Sequence, residues 1–229
     1  MNICLIPARG GSRRIPRKNI REFCGRPMMA WSIAAARDSG LFERIVVSTD
    51  DDEIAAVAVS EGAEAPFRRP SALADDHATT IAVVRHALEW LAGRGAEPQT
   101  LCCLYATAPF VQPEDLQAGA RAIAEGADFA LAVTDFGYPI QRALRLAPGG
   151  HVEMFDPAHA LTRSQDLEPA FHDCGQFYWG RRDAWLDDQR PFFGPGTRPV
   201  MIPRYRVQDI DTPDDWIRAE LLHRIMQAG

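Results

Sequence analysis

The chain has 229 residues, 46% hydrophobic and 24% charged, with a net charge of −6. That length suits one generous domain with a full apolar core, and the composition excludes disordered and collagen-like classes. No apolar run approaches the roughly 20 residues that span a bilayer, so no membrane segment is expected. The opening Met1-Asn2-Ile3-Cys4-Leu5-Ile6 turns at Pro7 without the basic start and long apolar stretch of a secretory signal, which makes cytoplasmic residence the expectation.

In chain order, residues 3–6 predict a strand, then a Gly/Arg-rich loop, then a helix over about 27–39. Pro27 suits its first turn and Gly40 its stop. Residues 44–48 read as a strand buried on both faces, because Ile45, Val46 and Val47 are consecutive. Thr49 or Asp50 caps a helix over 51–60 that Gly62 ends. Helix 81–91, strand 101–105, helix 114–124 and strand 129–133 follow. Alternation of this kind predicts an α/β domain with a mainly parallel sheet and helices on both faces. Ligands in such sheets sit beyond the carboxyl ends of the strands.

From residue 136 the rhythm changes. Strand candidates at 143–146 and 151–155 flank Pro148-Gly149-Gly150, a hairpin signal. Residues of about 137–172 therefore read as an arm inserted into a single domain spanning 1–229. Regular elements resume at 176–180 and 200–203, and a helix over 213–226 closes the chain.

Five scattered cysteines, Cys4, Cys24, Cys102, Cys103 and Cys174, fit reduced structural thiols rather than a disulfide frame. The charge is uneven. Arg9, Arg13, Arg14, Arg17, Lys18 and Arg21 fall within thirteen residues that contain no acid. One compact basic segment on an acidic chain points to a small polyanion, not to a nucleic acid.

That segment, Ala8-Arg9-Gly10-Gly11-Ser12-Arg13 through Lys18-Asn19, directly follows the first strand. Two glycines allow close backbone approach to a phosphate, and Arg and Lys supply the charge a triphosphate requires. It is neither a Walker loop nor the dinucleotide fingerprint. Near the far end, Asp209 and Asp211 leave the same face of an extended segment, and two hard oxygen ligands side by side suit Mg²⁺. Thr212, Pro213 and Asp215 read instead as a helix start, and the acids at 50–53 as helix-dipole partners. Arg69, Asp76, Thr79 and Thr80 are loop and helix-start candidates for meeting a base or phosphate, although the two threonines equally suit plain caps. Arg142 and Arg163 in the arm each suit a carboxylate, with pairing to a neighbouring Asp as the competing explanation.

These residues resemble the CMP-acylneuraminate synthetase family of nonulosonic acid cytidylyltransferases. The resemblance rests on Ile6-Pro7-Ala8-Arg9-Gly10-Gly11-Ser12 with Lys18-Asn19, Arg69-Pro70 with Asp76, Gly175 with Tyr178, and Asp209-Ile210-Asp211-Thr212. Residues 139–144, 163–167, 175–180 and 204–209 look most like the branch that acts on pseudaminic acid. The family implies a Rossmann-like nucleotide-diphospho-sugar transferase fold and a homodimer whose arm reaches the partner's site. It implies that Arg9, Lys18 and Asn19 hold the triphosphate with help from Arg69, that Thr79 or Thr80 lies near the cytosine and ribose, and that Asp209 and Asp211 bind Mg²⁺. Gln141, Arg142, Arg163, Gln165, Gln176 and Tyr178 belong to the sugar side by the same resemblance. Two positions depart from the sialic acid enzymes: Arg13 stands where Lys is frequent, and Tyr105 where a glutamine is frequent.

The implied reaction joins CTP to an acidic nine-carbon sugar through the anomeric hydroxyl and releases pyrophosphate. Arg9, Lys18 and Asp211 would carry it, with Asp211 or water left to take the proton. The rivals are synthetases for sialic, legionaminic or ketodeoxyoctonic acid, a sugar-1-phosphate nucleotidyltransferase, and a non-catalytic nucleotide-binding module.

Overall fold

The computed structural model describes residues 1–75 and 77–228, and Asp76, assigned above to the nucleotide side, lies outside the described residues. Its centre is a six-stranded sheet. The elements in chain order are β1 (Asn2–Pro7), the two-residue β2 (Glu22–Phe23) and β3 (Arg26–Pro27), α1 (Met28–Asp38), β4 (Arg44–Ser48) and α2 (Asp52–Ser60). Next come α3 (Thr80–Ala92), β5 (Thr100–Leu104), α4 (Pro113–Ala124), β6 (Phe129–Asp135), and the hairpin β7 (Leu144–Leu146) and β8 (Val152–Met154). The chain ends with β9 (Phe171–Arg181), α5 (Arg182–Leu186), β10 (Thr197–Met201) and α6 (Pro213–Ala228).

The sheet order is β10-β6-β9-β5-β1-β4. β1 pairs in parallel with β4 and β5, and β6 pairs in parallel with β10. β9 runs antiparallel to both β5 and β6, so five strands share one direction and β9 opposes them. This strand is the main departure from the sequence reading, which began it only at residue 176. Its first half leaves the register of β6, with a slip between Leu131 and Val133.

Period-two alternation divides the core. Cys4 and Ile6 of β1 join Met29, Ile33, Ile54, Ala58, Leu116 and Ile123, so α1, α2 and α4 cover one face. Ile3 and Leu5 join Val83, Val84, Leu88, Ala184 and Trp185, so α3 and α5 cover the other. Cys102 and Cys103 fall on opposite faces, and all five cysteines are free thiols. Among the described residues no helix is long and apolar enough to cross a membrane.

A third apolar cluster matters most for the site. Ile15 of the glycine loop packs with Phe23, Met28, Phe110, Ile210, Trp216 and Ala219. Ile15 and Ile210 are each 1% exposed. Burial of two such side chains is worth about 1.5–3 kcal/mol apiece and fixes the basic loop against the start of α6. Between β6 and β9 the arm leaves the sheet as short 3₁₀ turns and the β7–β8 hairpin, whose register pairs Leu144 with Met154 and Leu146 with Val152.

Candidate active site

The basic loop and the carboxyl ends of β1 and β5 enclose a cavity of about 640 Å³. Arg9, Ser12, Arg13, Arg14, Lys18, Asn19 and Arg69 line it together with Thr80, Tyr105, Thr107 and Asp211. Five cations stand there against the carboxylates of Asp75 and Asp211, so the cavity favours a polyanion.

The loop is held by its neighbours. Asn19 is 8% exposed and donates from Nδ2 to the Arg9 carbonyl (2.9 Å). Arg9 Nη1 donates to the Asp75 carbonyl (2.6 Å), which spans the cavity mouth toward α3. Gly10 N–H donates to Asp50 Oδ1 (2.9 Å), so this amide is already used and is not aimed at a phosphate as the sequence suggested. A Cβ on Gly10 would stand 2.8 Å from Asp51 Oδ2, which explains the glycine. Ala8 is wholly buried and packs in the core, while Gly11 is exposed with open space around it.

Asp51, not Thr49 or Asp50, caps α2, accepting from the amides of Glu53 and Ile54 (both 3.0 Å). It also takes Arg17 Nη1 at 2.6 Å, and Arg17 reaches Glu53 as well. The hydrogen bond from Arg17 leads the causes that hold the Asp51 carboxyl below its ordinary value. These acids do open a helix, as the sequence reading had it, and they also brace the basic loop.

The two remote constellations meet. Lys18 Nζ donates to the Ile210 carbonyl (2.6 Å) and lies 3.4 Å from Asp211 Oδ1, and Arg14 Nη2 lies 2.9 Å from Asp211 Oδ2. Ile210 points inward between Asp209 and Asp211, as alternation requires. Asp211 lines the cavity, whereas Asp209 is exposed and outside the lining. Loss of hydration and the charge of Asp211 push the Asp209 carboxyl above its ordinary value, and Lys18 opposes them. Asp215 forms the helix start expected of it, accepting from the amides of Thr212 (2.9 Å) and Asp211 (3.2 Å).

A buried ion pair fixes this segment from behind. Arg206 and Asp115, with side chains 9% exposed each, form a two-pronged pair that includes Nη2 to Oδ1 at 2.9 Å. Asp115 also accepts from Gln112 N–H (2.9 Å) at the start of α4. The Arg206 carbonyl takes Gln176 Nε2 (2.8 Å), so Gln176, 4% exposed, is a core residue rather than part of a cavity wall. Sequence reading missed this pair because its partners are 91 residues apart.

Arg69 is 5% exposed, with Nε on Ser48 Oγ (3.0 Å) and Nη2 on the Ser48 carbonyl. Burial lowers its pKa to about 10, with Asp50 opposing, and it remains a cation. Thr79 caps α3 by accepting from Ala82 N–H (3.2 Å). Thr80 Oγ1 instead meets the Tyr105 hydroxyl (2.7 Å).

A second cavity, of about 270 Å³, adjoins the first and shares Thr80 and Tyr105 with it. Ile81, Trp185, Phe192 and Phe193 make it largely apolar, and Asp173 and Tyr178 supply its polar edge. Of the residues given to the sugar side, only Tyr178 lines it. Gln141 donates to the Glu168 carbonyl (2.9 Å), and Arg142 Nη1 lies 3.5 Å from Ser164 Oγ. Arg163 pairs with Asp166 (2.8 Å), and Gln165 is exposed. None of these four arm residues lines either cavity.

Comparison with known proteins agrees with this geometry. A family model described as cytidylyltransferase matches residues 3–183 and so ends before the Asp209/Asp211 pair. Two proteins named pseudaminic acid cytidylyltransferase, from two strains of Campylobacter jejuni subsp. jejuni, are 46% and 47% identical over 225 residues, covering 98% of this chain and 97% of each relative. A solved CMP:2-keto-3-deoxy-manno-octonic acid synthetase complexed with CTP superposes with a TM-score of 0.70 at 17% identity, over 98% of this chain and 99% of that one, a likeness of fold. With the family model spanning most of its length and these relatives nearly all of it, the chain belongs to the cytidylyltransferase family.

Proposed function

We propose that this chain transfers CMP from CTP to the anomeric hydroxyl of pseudaminic acid, producing the CMP-sugar and pyrophosphate for surface glycan or flagellin glycosylation. The observation that carries the reading is the cationic cavity in which Lys18 and Arg14 meet Asp211. The sugar is drawn from the two full-length relatives whose names specify it.

The hydroxyl oxygen attacks the α-phosphorus, and the bond from that phosphorus to the bridging oxygen breaks, so the electron pair leaves with pyrophosphate. Arg9, Arg13, Lys18 and Arg69 hold the triphosphate and offset the charge that grows on the leaving group. The apolar cavity beside Tyr105 and Tyr178 takes the sugar's acyl and methyl groups. The hydroxyl proton leaves to Asp211 or to water.

Asp209 and Asp211 fit a magnesium ion. They are hard oxygen donors two residues apart, and the charge of one raises the pKa of the other, a repulsion that a divalent cation relieves. Among the described residues no group of three or more His, Cys, Asp or Glu gathers around them, so the phosphates would complete the coordination. Bound there, Mg²⁺ would supply charge neutralisation at the phosphates.

The working form is a cytoplasmic homodimer. Tyr138, Leu146, Leu161, Val152 and Phe155 of the arm are 64–98% exposed, an apolar surface suited to a second copy. Arg142, Arg163 and Gln165 would then serve the partner's sugar site, which agrees with their distance from their own cavity walls. The test is a panel of purified protein, each nonulosonic acid and each nucleoside triphosphate, with pyrophosphate measured and mass determined by light scattering. Release with CTP and pseudaminic acid is expected. No release with any acidic sugar would refute the reading.

A further inference from the structure

Both oxygens of Asp211 are engaged by cations of the chain itself. Lys18 Nζ lies 3.4 Å from Oδ1, and Arg14 Nη2 lies 2.9 Å from Oδ2. All three residues line the larger cavity, together with the cations of Arg9, Arg13 and Arg69.

The two partners of Asp211 are not held alike. The Lys18 side chain is 18% exposed, and its ammonium also donates to the Ile210 carbonyl at 2.6 Å. Ile210 sits in the apolar cluster that carries Ile15, so this lysine is tied to the frame. The Arg14 side chain is 67% exposed, and its guanidinium meets Asp211 with most of its surface still in water. The backbone beside it is fixed, because Ile15 is buried and its carbonyl accepts from Lys18 N–H (3.2 Å). Arg14 can therefore change partner by rotating its side chain, with the loop left in place.

An exposed arginine–carboxylate pair is worth little, so a stronger ligand for the guanidinium displaces it. A triphosphate is such a ligand. It concentrates several negative charges, and a guanidinium grips phosphate oxygens through parallel N–H donors. A divalent cation alone is not. It would have to approach Asp211 against the positive charges of Arg14 and Lys18.

We propose that Arg14 is an exchangeable counter-ion for Asp211: it keeps a divalent cation off this carboxylate until a triphosphate draws the guanidinium away. The metal then enters with the nucleotide or after it, not before. This rests on the reading of the cavity as the triphosphate seat and of Asp211 as a metal ligand.

The test measures Mn²⁺ binding by electron paramagnetic resonance, with and without saturating CTP. No sugar is present, so no turnover intervenes. Wild type, Arg14→Gln, Asp211→Asn and the double variant are compared. Without CTP, Arg14→Gln binds Mn²⁺ about fivefold tighter than wild type, the upper end for release of one exposed ion pair. With CTP the advantage shrinks to about twofold or less, so coupling between metal and nucleotide is stronger in wild type. In the Asp211→Asn background Arg14→Gln brings no gain, which a mere drop in the positive charge of the cavity would not produce. Equal Mn²⁺ binding by wild type and Arg14→Gln without CTP overturns the proposal, as does an equal gain in the Asp211→Asn background. A wild type that binds no Mn²⁺ even with CTP overturns the metal reading as well, and it is recognised before any substitution is made. The expected Mn²⁺ pattern in a protein that turns over no acidic sugar upholds the exchange and refutes the functional reading alone.

Discussion

Replacing Arg206 with methionine tests whether the buried pair with Asp115 holds the segment that leads to Asp211. Methionine fills much of the same volume without charge, so the main change is an unpaired carboxylate whose side chain is 9% exposed. Of the contacts described for it, Asp115 would keep the Gln112 amide (2.9 Å) and lose both guanidinium bonds. Breaking one side of such a pair costs about 3–5 kcal/mol. For a domain of this size, about 2–4 °C accompanies each kcal/mol, which places the melting midpoint about 6–20 °C lower. Arg206→Met combined with Asp115→Leu removes both charges and should recover most of this loss, apart from about 1 kcal/mol for the missing helix cap. Urea unfolding of the three variants, with slopes compared, gives the free energies. A single variant within about 1 kcal/mol of wild type, or a double variant worse than the single, would refute the reasoning.

Lys18→Ala should raise the CTP Kd measured by calorimetry and lower kcat/KM about 10²–10³-fold, because the ammonium lines the cationic cavity and donates to the Ile210 carbonyl. An intact thermal midpoint would separate this effect from unfolding. Asp211→Asn should leave the fold in place, lower kcat about 10²–10³-fold and move the magnesium activation midpoint to higher concentration; wild-type turnover at low magnesium would count against the carboxylate site. Asp51 has a lowered carboxyl pKa, so its stabilisation is complete above the unfolded value of about 3.9 and is lost as pH falls through the folded one. Asp51→Asn should therefore flatten the acid limb of a stability–pH curve measured by urea midpoints, and curves parallel to wild type would contradict this.

The alternating strands and helices were legible because each buried strand is a short apolar run closed by Gly, Pro or a capping residue, a local property. The Asp209-Ile210-Asp211 alternation was legible for the same reason, and the structure keeps Ile210 inside. Direction was not. Nothing local in residues 171–181 says that β9 opposes its neighbours, since its long connection from β6 through the arm permits either sense. The tasks of Asp50 and Asp51 were hidden for a related reason. Acids at a helix start look alike until tertiary approach brings Gly10 and Arg17 to them. Likewise Phe192 lies in an irregular stretch, and its packing on Tyr178 and Trp185 depends on the finished sheet.

The contact between Lys18 and Asp211 joins residues 193 positions apart. During synthesis the basic loop therefore emerges well before its acidic counterpart. A chain stopped between the two carries the basic loop without the carboxylate that pairs with it. Under the proposed reading such a fragment lacks the acidic half of the site and is expected to leave CTP intact.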